Sequence, residues 1–93
     1  REVEEVIYQL EGVSEAAVVG INDPRKGDLV VACIVPSEKI KIDESALKEF
    51  LKTKLAAYKL PRKLMIMEKL PRNVTGKILK TKLREIALDR EGR

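Results

Sequence analysis

The run Leu70-Pro71-Arg72-Asn73-Val74-Thr75-Gly76-Lys77-Ile78-Leu79 holds the side chains best suited to chemistry, a lysine at the exit of a turn-rich loop ahead of a basic, apolar-periodic stretch. Pro71 fixes the chain direction as it leaves an apolar segment. Gly76 permits a backbone shape or a close approach that other residues resist, and Thr75 can cap a helix that follows. A helix beginning at Thr75 or Gly76 would put Lys77 in its first turn, where backbone N–H groups and the helix dipole already favour an anion. A cation there is locally unfavourable and makes sense against an external anion, so Lys77 reads as a donor of positive charge to a phosphate or carboxylate. The alternative, a first-turn surface lysine, stays open. The Walker pattern does not fit, because Pro71 stands where its first glycine belongs and Ile78 replaces the metal-binding Ser or Thr.

What surrounds this loop narrows the chemistry. The 93 residues, 44% hydrophobic and 37% charged, suffice for one core but not for a core plus a deep private active site. Aromatic content is 3%, with no Trp, so Tyr8, Phe50 and Tyr58 alone make a poor stacking surface for bases. There is no His and one Cys, which excludes Cys/His metal centres and an internal disulfide framework. Cys33 sits inside the apolar run 29–35 and reads as a core residue with no imidazole to activate it. A reducing, cytoplasmic setting fits, and neither a membrane-spanning stretch nor a secretory pattern is present. The chain opens inside a helical pattern with neither a Met nor a cap, which leads us to expect a C-terminal piece of a larger protein.

Charge divides the chain. Residues 1–58 carry 8 Lys/Arg against 11 Asp/Glu, and residues 59–93 carry 11 against 4, giving −3 and +7 within a net +4. The basic half is the half with the loop, either as a solvated face or as a surface that meets an anion.

The elements that must position Lys77 follow from periodicity. Val3, Val6, Ile7 and Leu10 mark an amphipathic helix with Gly12 at its C-cap. Ala16–Ile21 and Leu29–Val35 read as antiparallel strands joined by the polar loop 22–28. After a polar link, 36–42, Asp43 can cap a second helix with Ala46, Leu47, Phe50, Leu51 and Leu55 on one face, ending near Tyr58 ahead of Pro61. Lys63–Leu70 is a third strand whose methionines fill core. A third helix turns Leu79, Leu83, Ile86 and Ala87 inward and Lys80, Lys82 and Arg84 largely outward, fraying over Asp89–Arg93. The expectation is an α+β fold, a small three-stranded mixed sheet with three helices in the order α-β-β-α-β-α.

The segment Pro71-Arg72-Asn73-Val74-Thr75-Gly76-Lys77-Ile78 closely resembles the last core motif of the adenylate-forming superfamily, which includes acyl-CoA synthetases, peptide-synthetase adenylation domains and firefly luciferase. Three further blocks agree in order and spacing: Arg1–Val6, Ala16–Gly27 and Leu55-Ala56-Ala57-Tyr58-Lys59-Leu60-Pro61. The resemblance covers essentially the whole chain. It implies the mobile C-terminal domain of a two-step ligase that closes over a large N-terminal domain holding ATP and a carboxylic acid, most commonly a fatty acid. It further implies that Thr75, Gly76 and Lys77 form the ATP and acyl-adenylate loop, with Lys77 acting in adenylation. By the same resemblance Lys52, Tyr58 and, more weakly, Lys59 meet CoA. ATP and CoA are then substrates, and Mg2+ accompanies ATP without a ligand in this domain. Relatives with a reversibly acylated motif lysine make a lysine acyltransferase and deacylase candidate partners acting on Lys77. Asp28 departs from the Glu of many relatives, and the nucleotide-binding loops of the large domain are absent, so the piece alone should be inactive. An adenylation domain loading a carrier protein, and a basic nucleic-acid or protein-binding module, are the alternatives.

Overall fold

The computed structural model describes residues 2–39 and 41–91. The elements run α1 (Glu2–Tyr8), β1 (Val13–Asp23), β2 (Gly27–Pro36), α2 (Glu44–Lys54), a 3₁₀ turn (Ala57–Lys59), β3 (Lys63–Ile66) and α3 (Lys80–Glu91). The order α-β-β-α-β-α and the mixed three-stranded sheet are those expected. Strand order is β1-β2-β3, with β1 antiparallel and β3 parallel to the central β2. The parallel pair requires a crossover, and α2 supplies it.

Helices cover both faces of the sheet, so strand residues of both parities are buried. Leu29, Val31, Cys33 and Val35 of β2 join Ala17, Val19, Ile21, Met65, Leu70, Leu83 and Ala87 on the α3 side. Ala32 and Ile34 join Ile7, Ala16, Leu47, Leu51, Leu55 and Leu64 on the side of α1 and α2. This is why the centre of β2 reads as a continuous apolar run and not as an alternating one. Cys33 is fully buried, and desolvation pushes its thiol up to about 11, leaving it an inert core residue.

Several boundaries differ from the sequence expectation. The loop between β1 and β2 shortens to Pro24-Arg25-Lys26, because Asp23 Oδ1 accepts from the N–H groups of Arg25 and Lys26 and Gly27 adopts φ +82°. Gly12, at φ 101°, serves the turn into β1 after α1 has ended at Tyr8. Asp43 caps α2 as expected, its Oδ1 accepting from Ser45 N at 2.9 Å, but Ala46 is exposed and the helix ends at Lys54. Leu55 is extended (φ −122°, ψ 145°) and buried, and Tyr58 falls in the separate 3₁₀ turn. β3 is only four residues long, since after Met67 N bonds Ile34 O the chain leaves the sheet to bury Leu70 on the α3 side. At the far end Asp89–Glu91 stay helical and Arg90 Nη1 donates to Ile66 O, while residues 92 and 93 of the expected frayed tail lie outside the described residues.

Candidate functional site

The third helix begins at Lys80, three residues beyond Lys77. Lys77 therefore sits in no helical first turn, Thr75 caps no helix, and Leu79 is 38% exposed instead of facing the core. In place of the helix start there is a miniature hairpin. Arg72 and Ile78 form an isolated antiparallel bridge, Asn73 N donates to Lys77 O, Gly76 N donates to Asn73 O, and Leu79 N donates to Pro71 O. This is the pattern of a three-residue hairpin loop with glycine in the left-handed region, here Gly76 at φ +88°. A Cβ built on Gly76 meets nothing within 4 Å, so backbone shape and not close approach requires the glycine.

Asn73 organises the tip. Its Oδ1 accepts from Thr75 N, Thr75 Oγ1 and Lys77 N at 3.0, 2.7 and 3.0 Å. The sequence carried a signal for this, an Asn at the start of a Thr-Gly turn, but its side-chain chemistry was assigned to Thr75 as a helix cap. Arg72 adds a tie from below, with Nη1 donating to Gly76 O at 2.6 Å and Nη2 pairing with Glu15 of β1. Beyond the hairpin, Lys80 Nζ lies 2.9 Å from Glu4 Oε2, so the cation at the start of α3 has a carboxylate partner. Burial would raise the Glu4 pKa, but the Val18 N–H and the Lys80 ammonium outweigh it and hold the carboxyl below its ordinary range. The Lys77 ammonium, by contrast, makes no hydrogen bond or ion pair with any of the described residues. It borders an open hollow of about 640 Å³ lined also by Arg72, Asn73, Gly76, Lys80 and Thr81.

The remaining candidates lie around α2 and the turn after it. Lys52 is 61% exposed and only loosely paired with Glu49, at 3.9 Å. It lines a smaller groove of about 240 Å³ with Lys48, Leu51, Leu60, Pro61, Arg62 and Leu64. Lys48 and Arg62 are cations that the sequence reading passed over, and only the return of the chain past Pro61 brings Arg62 there. Tyr58 does not line this groove. It is 84% exposed and packs into no core cluster, its ring 5.6 Å from Lys59 Nζ. Lys59 is held by Glu2 of α1, whose hydrogen bond and charge raise the lysine pKa. Ile78 roots the Lys77 hairpin on the α3 side of the sheet, whereas Leu51, Leu60 and Leu64 root the groove on the other. Among the described residues, no group of three or more His, Cys, Asp or Glu could hold a metal ion, and no helix is long and apolar enough to cross a membrane.

A family described as the AMP-binding enzyme C-terminal domain matches residues 2–77, from α1 to the candidate lysine itself. The chain belongs to that family. A long-chain-fatty-acid–CoA ligase of Mycobacterium tuberculosis is 48% identical over 84 residues, which is 90% of this chain and 16% of that protein. A 2-succinylbenzoate–CoA ligase of Listeria monocytogenes is 45% identical over 84 residues, 90% of this chain and 18% of the relative. Among solved structures, a Mycobacterium tuberculosis fatty acyl CoA synthetase superposes with a TM-score of 0.85 at 44% identity, over 96% of this domain and 18% of that chain. The apo form of MatB from Rhodopseudomonas palustris gives 0.87 at 37% identity with the same coverage. The domain thus spans less than a fifth of the length of these relatives.

Proposed function

We propose that this domain is the mobile C-terminal part of an ATP-dependent, AMP-forming ligase that joins a carboxylic acid, of the fatty-acid class, to CoA in the cytoplasm. In the first step a carboxylate oxygen of the acid bonds to the α-phosphorus of ATP as the bond to the β-phosphate bridge breaks, releasing pyrophosphate. In the second, the thiol sulfur of CoA attacks the acyl carbon, its proton is lost to solvent, and AMP leaves. The acid is its own nucleophile in the first step, so the protein has position and positive charge to supply, not a base. The observation that carries the reading is Lys77, a cation without a partner among the described residues, presented directly after the three-residue tip of a hairpin that Arg72 and Asn73 hold by side-chain hydrogen bonds.

Lys52 and Tyr58, with Lys59 nearby, are the proposed CoA contacts. The groove beside Lys52 adds Lys48 and Arg62, cations suited to the phosphates of that substrate. Roots on opposite sheet faces suit a domain that offers the Lys77 loop for adenylation and then rotates for thioester formation. The large N-terminal domain of the same protein is the partner; it would hold ATP with its Mg2+ and select the acid. Relatives named for fatty, succinylbenzoic and ferulic acids all resemble this domain, in agreement with an acid pocket that lies elsewhere. All three are named as ligases or synthases of CoA thioesters, which favours CoA over a carrier protein.

The test is Lys77→Ala in the full-length parent, with the half-reactions assayed separately. Acid-dependent exchange between ATP and pyrophosphate should fall by roughly 100-fold or more, the scale of a removed charge-stabilising donor, while thioester formation from supplied acyl-adenylate persists. Exchange that survives unchanged would make Lys77 a surface lysine and end the proposal. Lys52→Ala should do the reverse, raising the KM for CoA several-fold, about 1 kcal/mol of a charge-assisted contact, with exchange intact.

A further inference from the structure

The hairpin that carries Lys77 is small and solvent-exposed, with a one-bridge ladder of its own, and such a loop does not hold a flexible four-carbon side chain to a reacting atom without outside support. Its support is specific. The guanidinium of Arg72 has two engaged ends: Nη1 donates to the carbonyl of Gly76, the residue immediately before Lys77, and Nη2 pairs with the carboxylate of Glu15, 57 residues earlier on β1. Glu15 lies between Val13 and Ala16, at the register irregularity of the β1–β2 ladder, and Ala16 and Ala17 beside it are buried on opposite faces of the sheet. The planar fork of Arg72 therefore connects the peptide plane before Lys77 to a backbone anchored in both cores.

We propose that Arg72 and Glu15 form a positioning pair that sets the placement of Lys77 for adenylate formation; the inference rests on the role proposed above for Lys77. Neither residue need touch ATP or the acid. Their effect belongs to the transition state of the first step, where Lys77 acts, and not to substrate binding or to thioester formation, for which the Lys77 loop is not the active surface. A merely structural ion pair would weaken both half-reactions alike through stability.

The experiment uses the full-length parent carrying Arg72→Met, Glu15→Ala, the double substitution, and Lys77→Ala as reference, with kcat and KM measured for ATP–pyrophosphate exchange and for thioester formation from supplied acyl-adenylate. Each single substitution should lower kcat for exchange by roughly 10- to 100-fold, the loss typical of a misplaced catalytic group, with the KM values for ATP and acid and the thioester half-reaction unchanged. Because Arg72→Met already removes both ends of the tie, the double substitution should fall no further than Arg72→Met alone. Losses that multiply in the double substitution, or that appear equally in both half-reactions, overturn the positioning role. Exchange unaffected by Arg72→Met while Lys77→Ala abolishes it overturns this inference and leaves the proposed function standing. Exchange unaffected by Lys77→Ala overturns both.

Discussion

At the scale of single residues, the loop is governed by Asn73 and Gly76 as much as by Lys77. The same device builds both hairpins: an Asx side chain, Asp23 or Asn73, accepts N–H groups of the following turn, and a glycine in the left-handed region, Gly27 or Gly76, closes it. At Gly76 the space around a Cβ is open, so a side chain there costs only backbone strain. Gly76→Ala should destabilise the domain by about 1–2 kcal/mol, and Gly76→Asn by less, because Asn visits the left-handed region with local hydrogen bonding. Urea unfolding of the variants checks this, and equal costs for Ala and Asn would refute it. That Gly76 serves a backbone shape other residues resist was legible from its type, and so was the place of Lys77 directly after it. The hairpin was not, since Thr75 and Asn73 are both good capping residues and only the bonds actually made distinguish a helix start from a turn.

At the scale of elements, α1 does more than bury Ile7. β1 is an edge strand, and α1 covers its free edge with side chains: Tyr8 OH accepts from Ala16 N at 2.9 Å and Glu4 Oε2 accepts from Val18 N at 2.7 Å. Through Glu4 the same helix holds Lys80 beside the candidate loop, and through Glu2 it holds Lys59 beside Tyr58. The folded-state pKa of Glu4 lies below its ordinary value of 4.5. Its contribution to stability is therefore complete above pH 4.5 and is lost as pH falls through the folded value. Denaturation midpoints measured between neutral pH and pH 3 should decline less steeply in Glu4→Gln than in the wild type. Glu4→Ala, which also strips Val18 N–H of its acceptor, should cost about 1–3 kcal/mol at neutral pH. A parallel decline in Glu4→Gln would remove Glu4 from this account.

For the whole molecule, the division of charge along the sequence is partly undone by folding. Lys59, Arg72 and Lys80 of the basic half pair with Glu2, Glu15 and Glu4 of the acidic half. The basic surface is thus anchored at defined points, which suits single-lysine chemistry better than a diffuse polyanion face. The two apolar clusters pack on either side of one sheet, each drawing residues from strands and from helices of this chain. The 93-residue chain should accordingly unfold cooperatively by itself, with a stability of about 5–14 kcal/mol, yet show no ATP–pyrophosphate exchange with any acid. Non-cooperative melting, or exchange by the isolated chain, would contradict this division of labour.

The order of elements, the mixed sheet and the buried character of Cys33 were all determined by sequence, because each rests on local periodicity, local turn chemistry or a contiguous apolar run. The ends of α2, β3 and α3 were decided by tertiary structure, which bends the chain wherever Leu55 and Leu70 must reach their cores. So were the ties that set the Lys77 loop. Glu15 and Arg72, or Glu4 and Lys80, lie 57 and 76 residues apart, and no periodicity or propensity acting over a few residues can pair side chains across such a span. Their meeting depends on β1 and α1 being brought against the segment that follows β3, a consequence of packing both faces of one sheet.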